Sequence, residues 1–138
     1  MQTTKELEKN IKQKIYDKIP NINLQSINFI EGNDESPEGI YVFTENDEYI
    51  FIYTEKGKIR ERKVLNNEND LMWSILNSVL FKVSMEYAIA NRRTGEDFRK
   101  ALFIKEIELF SLFGDEFKKR KIDEIESILL KNPYNDSE

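Results

Sequence analysis

The amino-acid sequence predicts an α+β fold, on three observations taken in chain order. The first segment repeats apolar residues every four positions. A middle segment is rich in β-branched and aromatic residues around two short turns, and the last half returns to helical spacing.

Thr3 or Thr4 can cap the first helix, whose apolar positions are Leu7, Ile11, Ile15 and Ile19. That stripe is one residue wide, so the helix should lie on the surface against the body of the fold. Pro20 ends it. The run Gly32-Asn33-Asp34-Glu35-Ser36-Pro37 is a strong loop signal, and Gln25 to Ile30 reads as a short edge strand. Three strands follow, Ile40 to Glu45, Glu48 to Glu55 and Lys58 to Leu65. Asn46-Asp47 and Lys56-Gly57 between them suit two-residue hairpin turns, which makes an antiparallel meander. With both turns that short, one sheet face carries Tyr41, Phe43, Ile50, Ile52 and Ile59. The other carries Ile40, Val42, Tyr49, Phe51, Tyr53, Arg60 and Arg62, and a one-residue bulge would reshuffle both sets.

The remainder is helical. Asn67 or Asn69 starts a helix running through Leu71, Trp73, Leu76, Leu80 and Tyr87, apolar over much of its circumference and therefore central. Arg92-Arg93-Thr94-Gly95 breaks it, and a second helix runs from about Glu96 to Phe113. Gly114 fits a left-handed C-terminal position and Asp115 an N-cap, which brings in a third helix that Asn132-Pro133 stops. The expected architecture is an N-terminal helix, a three-stranded antiparallel meander and three C-terminal helices packed on the sheet. No repeat or linker divides the 138 residues, so a single domain, 1–138, is expected.

There is no cysteine, hence no disulfide framework or thiolate chemistry, and no histidine. The polar start and the lack of a long apolar run point to a cytoplasmic protein without a membrane partner. A net charge of −5 argues against nucleic acid as a ligand. The acidity is local: residues 19–55 hold eight acids and no base, and the flanking segments are slightly basic.

Enzyme chemistry finds little support. The hydroxyl groups lack a nucleophile elbow, no glycine-rich loop opens a helix, and no cofactor is implied. Paired acids such as Asp34/Glu35 or Asp47/Glu48 could serve a small hydrolase or hold a divalent ion, but adjacent loop acids are usually only solvated. The calcium-loop spacing is missing, so no metal site is expected. Trp73 and the helical phenylalanines read as core. Tyr49, Phe51 and Tyr53 beside Arg60 and Arg62 would make an interface mixture, although helices covering that face is the plainer reading. Lys118-Lys119-Arg120-Lys121 reads as a salt-laced solvated helix face.

The acidic stretch carries more meaning. Uncompensated like charge costs stability unless a basic partner uses it, and such a surface steers a basic protein on quickly. The expected contact residues are Asp34, Glu35, Glu38, Glu45, Asp47 and Glu48, with Tyr49 or Tyr53 as aromatic anchors. Solubility alone is the bland alternative, and an acidic regulatory or phage-type inhibitor that mimics nucleic acid would share the pattern. An adaptor binding through the aromatic sheet face stays open as well.

The segment Asn91-Arg92-Arg93-Thr94-Gly95-Glu96-Asp97-Phe98-Arg99-Lys100 is followed by Phe103, Glu106, Leu109-Phe110, Phe117, Glu124, Ile128-Leu129 and Pro133-Tyr134-Asn135-Asp136. This pattern resembles the C-terminal signature of a bacterial polymorphic-toxin immunity family, immunity family sixty-three. It covers about a third of the chain, and it departs at Lys100, where a second arginine is expected, and at Glu106, where glutamine is commoner. The resemblance implies a cytoplasmic antitoxin that binds a cognate toxin domain, a basic nuclease being one candidate, in a stoichiometric complex and without catalytic residues. The motif residues look structural: Asp97 as a helix cap, Arg92, Arg93 or Arg99 as partners for acids, and Pro133-Tyr134 sealing the last helix.

Overall fold

The computed structural model describes residues 1–136. The element order is α+β: α1 (Thr4–Lys18), β1 (Ile27–Asn28), β2 (Gly39–Glu45), β3 (Glu48–Glu55), β4 (Lys58–Leu65), α2 (Glu68–Ala90), α3 (Phe98–Ser111) and α4 (Asp115–Lys131). The chain forms two compact units, Met1–Ile75 and Leu76 onward, so α2 begins in the first and ends in the second.

In the first unit, Thr3 caps α1 with a full capping box. Its hydroxyl accepts from the Glu6 amide and the Glu6 carboxylate accepts from the Thr3 amide, satisfying two otherwise orphaned donors. Leu7, Ile11 and Ile15 of the narrow apolar stripe are fully buried. Asn67 accepts from the Asp70 amide at 2.8 Å and so starts α2. Glu68, one residue on, ties α2 to α1 by accepting from Asn10 and Lys14, and to the segment before α1 by accepting from Gln2.

The sheet has four strands in the order β1-β2-β3-β4. The two-residue strand β1 is parallel to β2 and the rest is antiparallel. Both hairpin turns have two residues. Asn46 (φ 51°), Asp47 (φ 61°), Lys56 (φ 54°) and Gly57 (φ 75°) are all left-handed, as a type I′ turn requires.

The first hairpin keeps its simple register throughout, Gly39 opposite Thr54 and Glu45 opposite Glu48. The second does not. Thr54 pairs with Ile59 but Tyr53 pairs with Glu61, leaving Arg60 as the extra residue of a bulge. Every β4 residue beyond it changes face. Arg62 sits opposite Ile52 on the Tyr41/Phe43 side, while Glu61 and Lys63 join Tyr53 and Phe51. The tyrosine–arginine face expected from the sequence therefore does not form. Tyr49 and Phe51 are buried instead, and Lys63 Nζ lies 5.3 Å above the Phe51 ring.

The opposite face, Tyr41, Phe43, Ile50 and Ile52 with Ile59 against them, is a second buried cluster. A parallel β1–β2 pair needs a connection that crosses one face of the sheet. Residues 29–38 make that crossing over this cluster. Gly32 lies against the Tyr41 ring, so close that an added Cβ would fall 2.6 Å from Tyr41 Cγ. Further on, the Asp34 carboxylate accepts from the Ile59 amide of β4 at 3.0 Å. On the way back, the Pro37 carbonyl accepts from Tyr41 Oη and Thr54 Oγ1, each at 2.8 Å. The acidic loop is thus a strap fastened to β2, β3 and β4.

In the second unit, Ala88, Leu102, Phe103 and Ile125 form the buried centre, with Met85, Phe98, Ala101, Ile107 and Leu129 packed around it. Gly114 does not take the left-handed helical conformation expected at the α3–α4 turn. It adopts φ 114°, ψ 161°, an extended positive-φ state open to glycine, and Asp115 is the first helical residue rather than the cap. Lys118, Lys119 and Arg120 of the basic tetrad are exposed, with Lys119 paired to Asp123, as a salt-laced solvated face requires. Lys121 departs from that reading because it is 2% exposed. Its ammonium donates to Asn77 Oδ1 of α2 at 2.6 Å and Glu124 Oε1 at 2.7 Å. It lies 3.5 Å from Glu106 Oε2 of α3 and 4.7 Å from the Phe110 ring centre. Burial pushes the Glu106 carboxyl above its ordinary pKa, partly offset by the Lys121 charge.

Candidate functional site

The six acids expected to contact a partner fall into two groups. Glu45, Asp47 and Glu48 surround the β2–β3 turn, with Glu45 and Glu48 directly opposite one another. Asp34, Glu35 and Glu38 lie on the strap, whose Asp34 is fastened beside the β3–β4 turn at the other end of β3. At roughly 3.3 Å per residue, β3 holds the two ends about 20–25 Å apart.

Their chemistry differs as well. Asp34 is spent on the Ile59 amide. Glu35 and Glu38 are exposed on the outer side of a strap stiffened by Asn33, which accepts from the Glu35 amide through its side chain and from the Ser36 amide through its carbonyl. Glu45 and Asp47 are exposed and Glu48 half-exposed. None of Glu35, Glu38, Glu45, Asp47 or Glu48 forms an ion pair among the described residues.

The two aromatic candidates separate in the same way. Tyr49 is 8% exposed and receives a long hydrogen bond from Gln2 at its hydroxyl, so its ring belongs to the core. Tyr53 is half-exposed and donates to Glu55 Oε2 at 2.8 Å, which raises its phenol pKa. Glu38 contributes to the same negative field at Tyr53.

The motif residues of the second unit form a clasp. Asp97 caps α3 by accepting from the Arg99 amide at 2.9 Å. The same carboxylate receives the Arg99 guanidinium at 3.0 Å and the Asn135 amide at 2.8 Å. Arg99 also donates to the carbonyls of Asn132 and Pro133, and Lys100 pairs with Asp136 at 2.7 Å. Tyr134 lies under both cations, 5.5 Å from each, and packs tilted against Phe103. Pro133-Tyr134 thus folds back onto the start of α3. Arg92 lies over the Phe98 ring at 5.9 Å, and Arg93 is exposed.

Arg99, then the Asn135 amide, holds the Asp97 carboxyl well below the usual aspartate range. A depressed folded pKa stabilises above the ordinary value and is lost as pH falls toward the folded one. Thermal unfolding of Asp97→Asn should therefore show a lower melting temperature at neutral pH. It should also show a smaller further drop than the parent between about pH 4 and pH 2.

Among the described residues no group of three or more histidine, cysteine, aspartate or glutamate side chains could hold a metal ion. No described helix is long and apolar enough to cross a membrane. The family model for Immunity protein 63 matches residues 45–127, from the end of β2 into α4 and over more than half of the chain. That places the chain in the immunity-protein class. It belongs to the Immunity protein 63 family. Neither the curated proteins nor the solved structures compared with it contain a match.

The sequence raises a bulge only as a contingency without placing it, and it announces neither the anchors of the strap nor the burial of Lys121. Gly32 does not take a positive φ, so its missing side chain serves the close approach to Tyr41 and not a left-handed turn.

Proposed function

We propose that this protein is a cytoplasmic immunity protein that neutralises a cognate toxin domain by forming a stoichiometric complex through its acidic surface. One observation carries the reading. Five carboxylates of the acidic stretch form no ion pair among the described residues, although sixteen lysines and arginines follow in the sequence. Self-repulsion of this kind costs stability, and a basic partner recovers it.

Family membership supports a protein partner. The strap adds a physical argument, because it holds Glu35 and Glu38 in place before contact and lowers the ordering cost of binding. Tyr53, half-exposed beside Glu38, is the aromatic anchor of this surface, whereas Tyr49 is buried near the β2–β3 turn. A nuclease cleft built for phosphate would meet these acids with matching sign. Because the acids lie at two ends of the sheet, they can be tested apart. Co-expression and co-purification with candidate toxin domains drawn from neighbouring genes provide the assay. Reversal at the strap (Glu35→Lys with Glu38→Lys) or at the hairpin (Glu45→Lys with Asp47→Lys) should slow association by about tenfold or more at low salt. Retained inhibition with unchanged salt dependence in both double variants would overturn the reading.

A further inference from the structure

The second unit carries a surface of opposite sign. Where α2 ends, Asn91 turns back and donates to the Tyr87 carbonyl at 2.9 Å, and the chain passes through Arg92 and Arg93 before α3 begins. Tyr87 of α2 and Phe98, Ala101 and Ile104 of α3 line a cavity of about 280 Å³ there, with both arginines on its wall.

Its walls are more apolar than a solvated turn requires. Ile104 is 66% exposed and Tyr87 42% exposed. Two arginines stand around them, Arg92 over Phe98 and Arg93 on the wall, and Lys105, paired with Glu108 at 3.1 Å, lies over Tyr87 at 4.7 Å. Arg92 and Arg93 form no ion pair among the described residues. The carboxylates on the wall are Glu96 and Asp97, and Asp97 is taken by Arg99. A chain of net charge −5 thus presents here an apolar slot with a cationic rim.

We propose that this slot is a docking site for an acidic peptide segment of a partner protein. An aliphatic or aromatic side chain enters between Tyr87, Phe98 and Ile104, and the flanking carboxylates meet Arg92 and Arg93. Arginine pairs with carboxylate in a bidentate fork, and an apolar anchor beside it is the usual composition of a binding hot spot. A concave slot sized for a side chain favours a peptide over a flat anionic surface. The site does not rest on the acidic-surface reading, since it lies in the other unit and needs the opposite charge.

The probe is a fluorescein-labelled Asp-Glu-Leu-Phe-Glu-Asp peptide titrated into the full chain. Saturable binding is expected, with amide shifts confined to Tyr87–Lys105 and a loss of about tenfold or more between low and physiological salt. A basic peptide with the same Leu-Phe centre should not bind. Arg92→Glu with Arg93→Glu should lower affinity at least about tenfold, and Ile104→Ser several-fold, with far-UV circular dichroism unchanged. The proposal is overturned if the acidic peptide shows no saturable binding at millimolar concentration, or if these variants leave its affinity unchanged. Phosphatidylserine vesicles binding as tightly as the peptide, without sensitivity to Ile104→Ser, would also overturn it.

Discussion

Lys121→Ala is expected to destabilise the fold by about 3–5 kcal/mol, because removing one partner of a buried charge pair strands the other. The ammonium is held by Asn77, Glu124 and Glu106 and shielded by Phe110, so its loss removes contacts to α2, α3 and α4 together. Glu106, 5% exposed, would then sit buried beside no cation. Urea unfolding should show the loss as a lower midpoint. Adding Glu106→Gln to Lys121→Ala should recover part of it, because the stranded charge is gone.

Glu106 also sets a pH dependence with a definite sign. Its folded pKa lies above the ordinary carboxylate value, so the folded state binds the proton first. Its contribution to stability therefore grows as pH falls from the raised pKa toward the ordinary one. Glu106→Gln should abolish that rise. An unchanged pH profile in the variant would show that the carboxylate does not carry it.

Gly32→Ala is expected to cost about 1–3 kcal/mol, the range for forcing extra volume into a packed site. The new methyl would meet Tyr41 Cγ at 2.6 Å and Tyr41 Cβ at 2.7 Å. Tyr41 is 3% exposed and its hydroxyl is tied to Pro37, so the ring has little room to yield. The strap must lift instead, which stretches the Asp34–Ile59 hydrogen bond. Hydrogen exchange gives the cleanest reading: the Ile59 amide should lose protection, while the β2–β3 ladder keeps most of its own. Protection at Ile59 equal to the parent would contradict the fastened strap.

Much of the fold was legible because local chemistry decided it. Thr3 and Glu6 spell a capping box, Asn46-Asp47 and Lys56-Gly57 spell two-residue turns, and four-residue spacing marks α1. The illegible parts depend on partners distant in sequence. The bulge at Arg60 follows from how β4 must lie on β3, and nothing within Lys58–Leu65 announces it. The parallel partner of Ile27 lies thirteen residues on, at Ile40, so local alternation shows a strand but not the crossing that it imposes. Lys121 stands in a basic tetrad, and its burial comes from Asn77 and Glu106, far away along the chain. The candidate surface was half legible. Charge counting found the acids, but only the fold shows that Asp34 fastens the strap and that the rest stand at two ends of one sheet.

The strap also sets an order of events. Each hairpin joins neighbours through a two-residue turn, and such elements form within microseconds. The strap has nothing to grip until Ile59, Tyr41 and Thr54 are already in register, because its anchors come from three different strands. Its closure pays the loop entropy of a long-range contact and so belongs late in the assembly of the first unit. Glu35 and Glu38 are therefore set in place only on a chain whose sheet has already formed. A nascent or misfolded chain does not present that charge pattern.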